Sequence, residues 1–181
     1  MTERLSLEFA PEWNTIKGAW EPCQAHLSKH GLDADGVYAL CMVTHELLEN
    51  AVKYGAFGPD QTIRCSVVAG KETVTIEVRT PLGVDRERFE RLDRMIQWIR
   101  SFQNPFEAFV ERLKDVSARP FAVCESGLGL VRMAYEGQCL LDFYVDDSDV
   151  LSMSAVYRVP PASSDAASGQ AGDVLGQPLP N

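Results

Sequence analysis

The sequence predicts an α+β fold, in which one layer of helices packs on one sheet as a two-layer sandwich. The predicted elements follow the order β-α-α-β-β-α-α-α-β-β. The strands come in hairpin pairs and the helices are grouped between them, which favours this class over a doubly wound parallel sheet. With 181 residues, of which 45% are hydrophobic, the chain is large enough for one sizeable core.

The first third of the chain predicts a strand and two helices. A helical pattern begins at Pro11, should kink or break at Pro22 and should end at Gly31, which suits a left-handed helix terminus. Either Asp33 or Asp35 is suited to cap the next helix, which runs through the segment "THELLENAVKYGAFG". Before them, alternating apolar residues predict a half-buried strand; they are Leu5, Leu7 and Phe9.

A hairpin and two amphipathic helices follow. The strands "TIRCSVVA" and "TVTIEVRT" are joined by a three-residue loop at 70–72. One helix follows Asp85; the other has Asn104 as its cap and Pro105 at its first position, with Glu107 completing a capping box. The apolar face of the first helix consists of Phe89, Leu92, Ile96, Ile99 and Phe102.

The last part of the ordered chain predicts a glycine turn that opens a short helix, "ESGLGLVRMAYEG", and two final strands, "CLLDFYVD" and "VLSMSAVYRV". Beyond Val159 the sequence is rich in proline and glycine and carries only two charged residues. Such a composition cannot build a packed core, so we expect one domain over residues 1–159 and a disordered tail over 160–181.

Charge and composition exclude several classes of protein. A net charge of -9 opposes binding to nucleic acid or to an anionic membrane. No apolar run approaches the roughly 20 residues of a membrane span, and the N-terminus lacks the apolar core of a signal peptide. The five cysteines form no CxxC pair, which is typical of reduced, buried thiols. We therefore expect a cytoplasmic protein.

Three polar residues in the long helix are the first candidate site. At about 100° per residue, Glu46, Asn50 and Lys53 share one face of the helix. A solvated face is the ordinary interpretation of such a stripe. Asparagine is a mediocre helix former, however, and this set suits a nucleotide: the amide oxygen can ligate Mg²⁺, the ammonium group can meet phosphate, and the carboxylate can orient or deprotonate a hydroxyl group.

Two other motifs give weaker evidence for a functional site. "HELLE" begins like the zinc-protease pattern, but Glu49 stands where the second histidine is required, and neither His26 nor His30 offers a convincing ligand spacing. "SGLGL" is by itself an ordinary glycine turn. Its functional interpretation is that two glycines let the backbone approach phosphates at the start of a helix.

The combination of "HELLENAVKYG" with a later "GLGL" resembles the GHKL (Bergerat-fold) ATPases, and most closely their anti-sigma-factor serine/threonine kinase branch. The resemblance spans residues 5–159. It implies a histidine-kinase-like ATPase domain with a mixed sheet and helices on one face. The matching residues are Glu46, Asn50 and Lys53 in the N-box and Gly127, Leu128, Gly129 and Leu130 in the last glycine box.

The resemblance also implies ligands, roles and partners. ATP and Mg²⁺ would bind between the long helix and the glycine turn, with Asn50 on the metal and Lys53 on phosphate. Glu46 would assist the attacking hydroxyl group of a serine. That serine would belong to a STAS-type antagonist, and a sigma factor is the other expected protein partner.

The family's other box, Asp-x-Gly-x-Gly, is degenerate. This chain has "RTPLGVD", so Thr80 stands where the adenine-binding aspartate is expected and Gly83 is the remaining glycine. A neutral hydroxyl group accepts a weaker hydrogen bond than a carboxylate does. Pro81 and Leu82 also stiffen and crowd this loop.

The second departure is a helical insert over residues 85–118, where the kinase branch has a short lid. Its apolar faces either pack on the body, cover the pocket, or dock a protein, and an exposed apolar face would favour a homodimer. Two functions therefore stay open. One is an ATP-dependent serine/threonine kinase that phosphorylates or sequesters a signalling partner, and the other is a non-catalytic GHKL-fold interaction module with weak or no nucleotide binding.

Overall fold

The computed structural model of the chain describes residues 2–83, 86–118 and 127–161, with the backbone alone for residue 86. Within these ranges the strands are β1 (Glu3–Phe9), β2 (Ile63–Ala69), β3 (Thr73–Pro81), β4 (Cys139–Val145) and β5 (Val150–Arg158). The α-helices are α1 (Trp13–Ile16), α2 (Trp20–Leu27), α3 (Ala34–Tyr54), α4 (Arg86–Arg100), α5 (Pro105–Ser117) and α6 (Leu128–Tyr135). The order matches the predicted one except that the single helix expected from Pro11 to Gly31 is divided into α1 and α2 by a 3-10 turn.

The strands form one five-stranded sheet in the order β1-β2-β3-β5-β4. The α+β sandwich is confirmed, but the expected mixed sheet is wrong, because every pairing between the described strands is antiparallel. The reason lies in the last hairpin. The chain crosses the sheet between β3 and β4, so these two strands run in the same direction, but β5 lies between them and pairs with both.

The core lies between the sheet and α3. Strand β2 buries every second residue, which places one of its faces under the helices. Four aliphatic residues of α3 are each at most 2% exposed, and each contributes roughly 1.5–3 kcal/mol by its burial. They are Leu40, Val43, Leu47 and Leu48. On the other face of the sheet, the exposed Arg64 and Glu8 form an ion pair at 2.9 Å.

In the first third of the chain the predicted break at Pro22 is wrong, whereas the predicted end at Gly31 and the predicted cap of the next helix are confirmed. The break before α2 is a 3-10 turn at Lys17–Ala19, so Pro22 lies in the first turn of α2, where its missing N–H costs no helical hydrogen bond. Gly31 ends the following 3-10 turn with φ of 74°. Of the two candidate caps for α3, Asp33 is the one used, since its Oδ1 accepts a hydrogen bond from the Gly36 N–H at 2.8 Å.

The insert packs on the body as two separate helices. Arg100, the last residue of α4, donates from Nη2 to the Leu141 carbonyl oxygen at 2.7 Å. Helix α5 begins as predicted, with Asn104 accepting from the Phe106 N–H at 3.0 Å. The Phe109 ring lies 5.4 Å from that of Tyr135 on α6. The α4–α5 segment is thereby fixed against both β4 and α6.

The four described cysteines, Cys23, Cys41, Cys65 and Cys139, are buried and free, as predicted. Burial raises the pKa of the Cys139 thiol to about 12, which keeps it protonated and unreactive near neutral pH. Cys124 and the predicted tail from residue 162 onward lie outside the described residues. In the part of the chain that the structure describes, no helix has the length and apolar character needed to cross a bilayer.

Candidate functional site

A cavity of about 970 Å³ opens between α3, the insert and the ends of β3 and β5. Its floor comes from β3 and β5, one wall from α3, and the opposite wall from α4, α5 and the start of α6. Seven of the nine predicted site residues line it: Glu46, Asn50, Lys53, Thr80, Gly127, Gly129 and Leu130. The other two, Gly83 and Leu128, are not among the residues that form its wall.

The polar stripe of α3 faces this cavity because the opposite side of the helix is committed to the core. Glu46 has a side chain that is only 17% exposed, and Asn50 is half-buried. Lys53 is exposed at the end of the stripe, with its Nζ atom 4.9 Å from the centre of the Tyr54 ring. The stripe therefore lines the cavity wall, with Glu46 largely covered, Asn50 half-buried and Lys53 exposed.

Glu46 is held by an arginine that sequence reasoning did not single out. Arg132 of α6 donates from Nη1 to Glu46 Oε1 at 2.7 Å, and its Nη2 lies 3.2 Å from Oε2 of Glu136. Burial nevertheless raises the pKa of Glu46, and the positive charge of Arg132 opposes that rise. A carboxylate that is fixed in position and has a raised pKa is suited to accept a proton.

The second glycine of the "GLGL" turn makes room for this carboxylate. A Cβ atom on Gly129 would lie 2.5 Å from Glu46 Oε2, which no side chain at that position could accommodate without displacing Glu46. The first turn of α6 therefore lies directly against the Glu46 carboxylate. This contact joins the two motifs that the sequence analysis had linked only by resemblance.

The first glycine of the turn has a different neighbour. Gly127 has φ of 60°, a left-handed conformation that favours glycine, and a Cβ atom there would lie 2.5 Å from Nη2 of Arg112. Arg112 belongs to α5, is only 13% exposed, and forms an ion pair with Asp115 at 2.9 Å. Sequence reasoning missed Arg112, since nothing in the local pattern of α5 distinguishes it from a surface arginine.

The end of β3 is tightly packed. Thr80 is 7% exposed, and a Cβ atom on Gly55 would come within 2.6 Å of the Thr80 methyl carbon, so the end of α3 lies against it. The Pro81 carbonyl oxygen accepts from the Ala56 N–H at 2.8 Å. Gly83, with φ of 60°, would place a Cβ atom 2.6 Å from that of Ala56. Gly83 therefore serves the turn, whereas Thr80 lines the cavity.

Helix α4 covers the cavity with both charge and apolar surface. Its residues on the wall alternate between arginines and large apolar side chains. Of packing, covering and docking, the structure shows the first two for α4, because Ile96 and Ile99 are buried in the core while other residues of the helix line the cavity. The wall residues of α4 are Arg88, Phe89, Arg91, Leu92, Arg94, Met95 and Trp98.

The histidine of "HELLE" has a local role. His45 Nε2 lies 3.1 Å from Oε1 of Glu49, one helical turn away. Within residues 2–83, 86–118 and 127–161, no group of three or more His, Cys, Asp or Glu side chains has the arrangement to hold a metal ion.

The architecture and the cavity together define a class: a two-layer α+β domain whose pocket lies at the ends of two central strands and under a helical cover. No family model and no curated protein matches the chain. Among solved structures, it is similar to a chain of the SiaB–SiaC complex from Pseudomonas aeruginosa, with a TM-score of 0.62 and 14% identity. The match covers 86% of this chain and 89% of that chain. It shows a shared fold over nearly the whole of both.

Proposed function

We propose that this protein is a nucleotide-binding signalling regulator that binds ATP with Mg²⁺ in the cavity and phosphorylates or sequesters a protein partner. The observation that carries the proposal is the convergence of the two motifs. Glu46, Asn50 and Lys53 from one part of the chain line the same cavity as Gly127 and Gly129 from another. A solvated helix face and an unrelated glycine turn would have no reason to meet in this way.

The cavity fits a nucleotide in size and in chemistry. A volume of about 970 Å³ is at the upper end of the usual range for small-molecule pockets. One region offers large apolar side chains for a base, among them Leu92, Met95 and Trp98 of α4. The same cavity wall includes Lys53, a cation that can meet phosphate, and Gly127, where a phosphate group can approach the backbone closely.

The donor set at α3 also fits Mg²⁺. Oxygen ligands are what this ion prefers, and Asn50 provides an amide oxygen beside the carboxylates of Glu46 and Glu49 on the same cavity wall. Asn50 is the residue that would hold it. When bound, Mg²⁺ would neutralise part of the charge that develops on the transferred phosphoryl group.

Glu46 would serve as the general base of a phosphoryl transfer. Its carboxylate would accept the proton of a serine hydroxyl group on the partner while that oxygen forms its bond to the γ-phosphorus and the bond to the ADP oxygen breaks. Arg132 holds the carboxylate in place through the 2.7 Å contact. Because burial raises the pKa of Glu46, it is a better proton acceptor than an ordinary surface carboxylate.

A protein partner is supported by the neighbour. The solved structure similar to this chain is of a two-protein complex. Together with the resemblance to anti-sigma-factor kinases, this favours a partner of the STAS-antagonist or sigma-factor type.

The cheapest experiment is calorimetric titration of ATP with Mg²⁺ into the wild type and into Asn50→Ala. We expect binding in the micromolar range in the wild type and its loss, by about tenfold or more, in the variant, because one metal ligand is removed. Gln97→Ala is the matched control, since it removes an exposed carboxamide on α4 outside the cavity wall. No binding to the wild type, or equal binding to Asn50→Ala, would contradict the nucleotide site.

Catalysis is tested separately, by transfer of radiolabelled phosphate from ATP to a candidate STAS-domain protein. Glu46→Gln should abolish transfer while leaving nucleotide binding largely intact, because the amide cannot accept the hydroxyl proton. Transfer that persists in Glu46→Gln would remove Glu46 from the role of base.

The burial of Thr80 favours a second candidate, a non-catalytic interaction module. A neutral hydroxyl group at 7% exposure lines the cavity where the resembled family has an adenine-binding carboxylate. This candidate predicts partner binding that neither ATP nor Asn50→Ala alters. Measuring partner affinity with and without ATP therefore distinguishes the two.

A further inference from the structure

Arg112 lies in the part of the chain that departs from the resembled family, yet its side chain reaches the glycine turn. It belongs to α5 of the helical insert, and it lines the same cavity as Glu46 and Lys53. Its side chain is only 13% exposed, although arginine is rarely so covered without a specific environment. The insert therefore contributes a charged group to the interior of the site as well as a cover.

We propose that Arg112 binds the polyphosphate of the nucleotide, so that the insert completes the phosphate end of the site. This inference rests on the proposed function, because it assigns a residue to the same nucleotide cavity. It goes beyond that function in placing a specificity-determining contact outside both motifs.

The geometry of the turn is the first support. Arg112 and Glu46 both lie against the same short turn, because a Cβ atom on Gly127 would meet Arg112 and one on Gly129 would meet Glu46, each at 2.5 Å. A phosphate group that approaches the backbone of this turn would therefore lie close to both side chains. Glycine at position 127 is what allows the guanidinium group to come so near.

The second support is the orientation of the guanidinium group. Asp115, one turn further along α5, accepts from Nη1 of Arg112 at 2.9 Å. Such a pairing holds the planar fork in one direction, and an arginine oriented in this way loses less conformational entropy when it binds phosphate.

The third support is the charge of the cavity. The chain as a whole carries a net charge of -9, which repels a polyphosphate. Yet the described side chains on the cavity wall include five arginines and lysines against four carboxylates. A local excess of cations on the cavity wall of an acidic protein favours an anionic ligand in the cavity.

The test is titration of ATP, ADP and adenosine, with Mg²⁺, into the wild type, Arg112→Gln and a matched control, Lys114→Gln. The control removes a cation of the same helix that also forms an i,i+3 pair, with Glu111 at 2.7 Å, but whose side chain is not on the cavity wall. We expect Arg112→Gln to weaken ATP and ADP by about 10- to 100-fold, the loss of one charge-assisted hydrogen bond. Adenosine affinity should be unchanged in both variants.

The outcomes separate the two proposals. A wild type that binds none of the three ligands overturns the proposed function and this inference together. A wild type that binds ATP while Arg112→Gln binds it equally well overturns the inference alone, as does an equal loss for adenosine, which would show a merely structural role. If Arg112→Gln does not fold, Arg112→Lys is measured in its place. Lysine keeps the positive charge but lacks the planar guanidinium group, so this variant should bind ATP more weakly than the wild type. ATP affinity equal to that of the wild type would refute the proposal.

Discussion

Replacing Gly129 with alanine probes the contact between the two motifs, because two opposing effects can be worked out from the structure. Gly129 is the second residue of α6, and alanine in a helix is more favourable than glycine by up to about 1 kcal/mol. Against this gain, the new Cβ atom would lie 2.5 Å from Glu46 Oε2, so the carboxylate must shift, and we expect this shift to disrupt the 2.7 Å contact of its Oε1 with Arg132.

The loss should exceed the gain in the wild-type background. A hydrogen bond between charged groups contributes roughly 1.5–3 kcal/mol, and the low end applies here because Arg132 keeps its second partner, Glu136. Gly129→Ala should therefore destabilise the protein by about 1 kcal/mol, the difference between the two effects. In a Glu46→Ala background nothing is displaced, and the same substitution should stabilise by about 0.5–1 kcal/mol.

The assay is urea unfolding of the wild type, both single variants and the double variant, followed by far-ultraviolet circular dichroism. The free energies of unfolding should show a coupling energy of roughly 1.5–2 kcal/mol between positions 46 and 129. Independent sites would give a coupling energy near zero. Equal effects of Gly129→Ala in both backgrounds would refute the argument, since they would show that the glycine does not make room for Glu46.

Three further perturbations follow from other contacts in the structure. Gly127→Ala should cost about 1–3 kcal/mol in urea unfolding, because alanine is strained at φ of 60° and its Cβ atom would displace Arg112; a neutral effect would contradict the left-handed turn. Asp33→Ala should lose about 1 kcal/mol by the same measurement, since it removes the N-cap of α3. Arg132→Gln should raise the pKa of Glu46 further above its ordinary value of 4.5, measured by carbon-13 NMR of the carboxyl group. Because the folded state then holds its proton to higher pH than the unfolded state, stability should fall more steeply than in the wild type as pH rises above 4.5.

Local patterns in the sequence were enough for the secondary structure. Alternation at Leu5 and Leu7, the cap at Asn104 and the glycine turn before α6 each depend on residues a few positions apart, and each is confirmed within the described residues. Backbone geometry imposes the periods of 2 and 3.6 residues on any chain, so these elements need no knowledge of what packs against them.

The candidate site was only partly accessible to the same reasoning. Motif spacing selected Glu46 and Asn50 because one helical face brings positions four apart together. Gly83 was selected for its place in a degenerate box, and the structure assigns it to a turn instead. No pattern on α5 selected Arg112, because its helix alone does not reveal which side it buries.

By itself, then, the sequence determined the order of the elements, the polar stripe on α3 and the glycine turn that resembles a nucleotide box. Only the tertiary structure decided that β5 lies between β3 and β4, that α4 covers the cavity, and that Arg132 holds Glu46. The last pair is separated by 86 positions along the chain. Contacts at that distance are set by how whole elements pack, and packing depends on all the faces of the molecule at once, which no local period encodes.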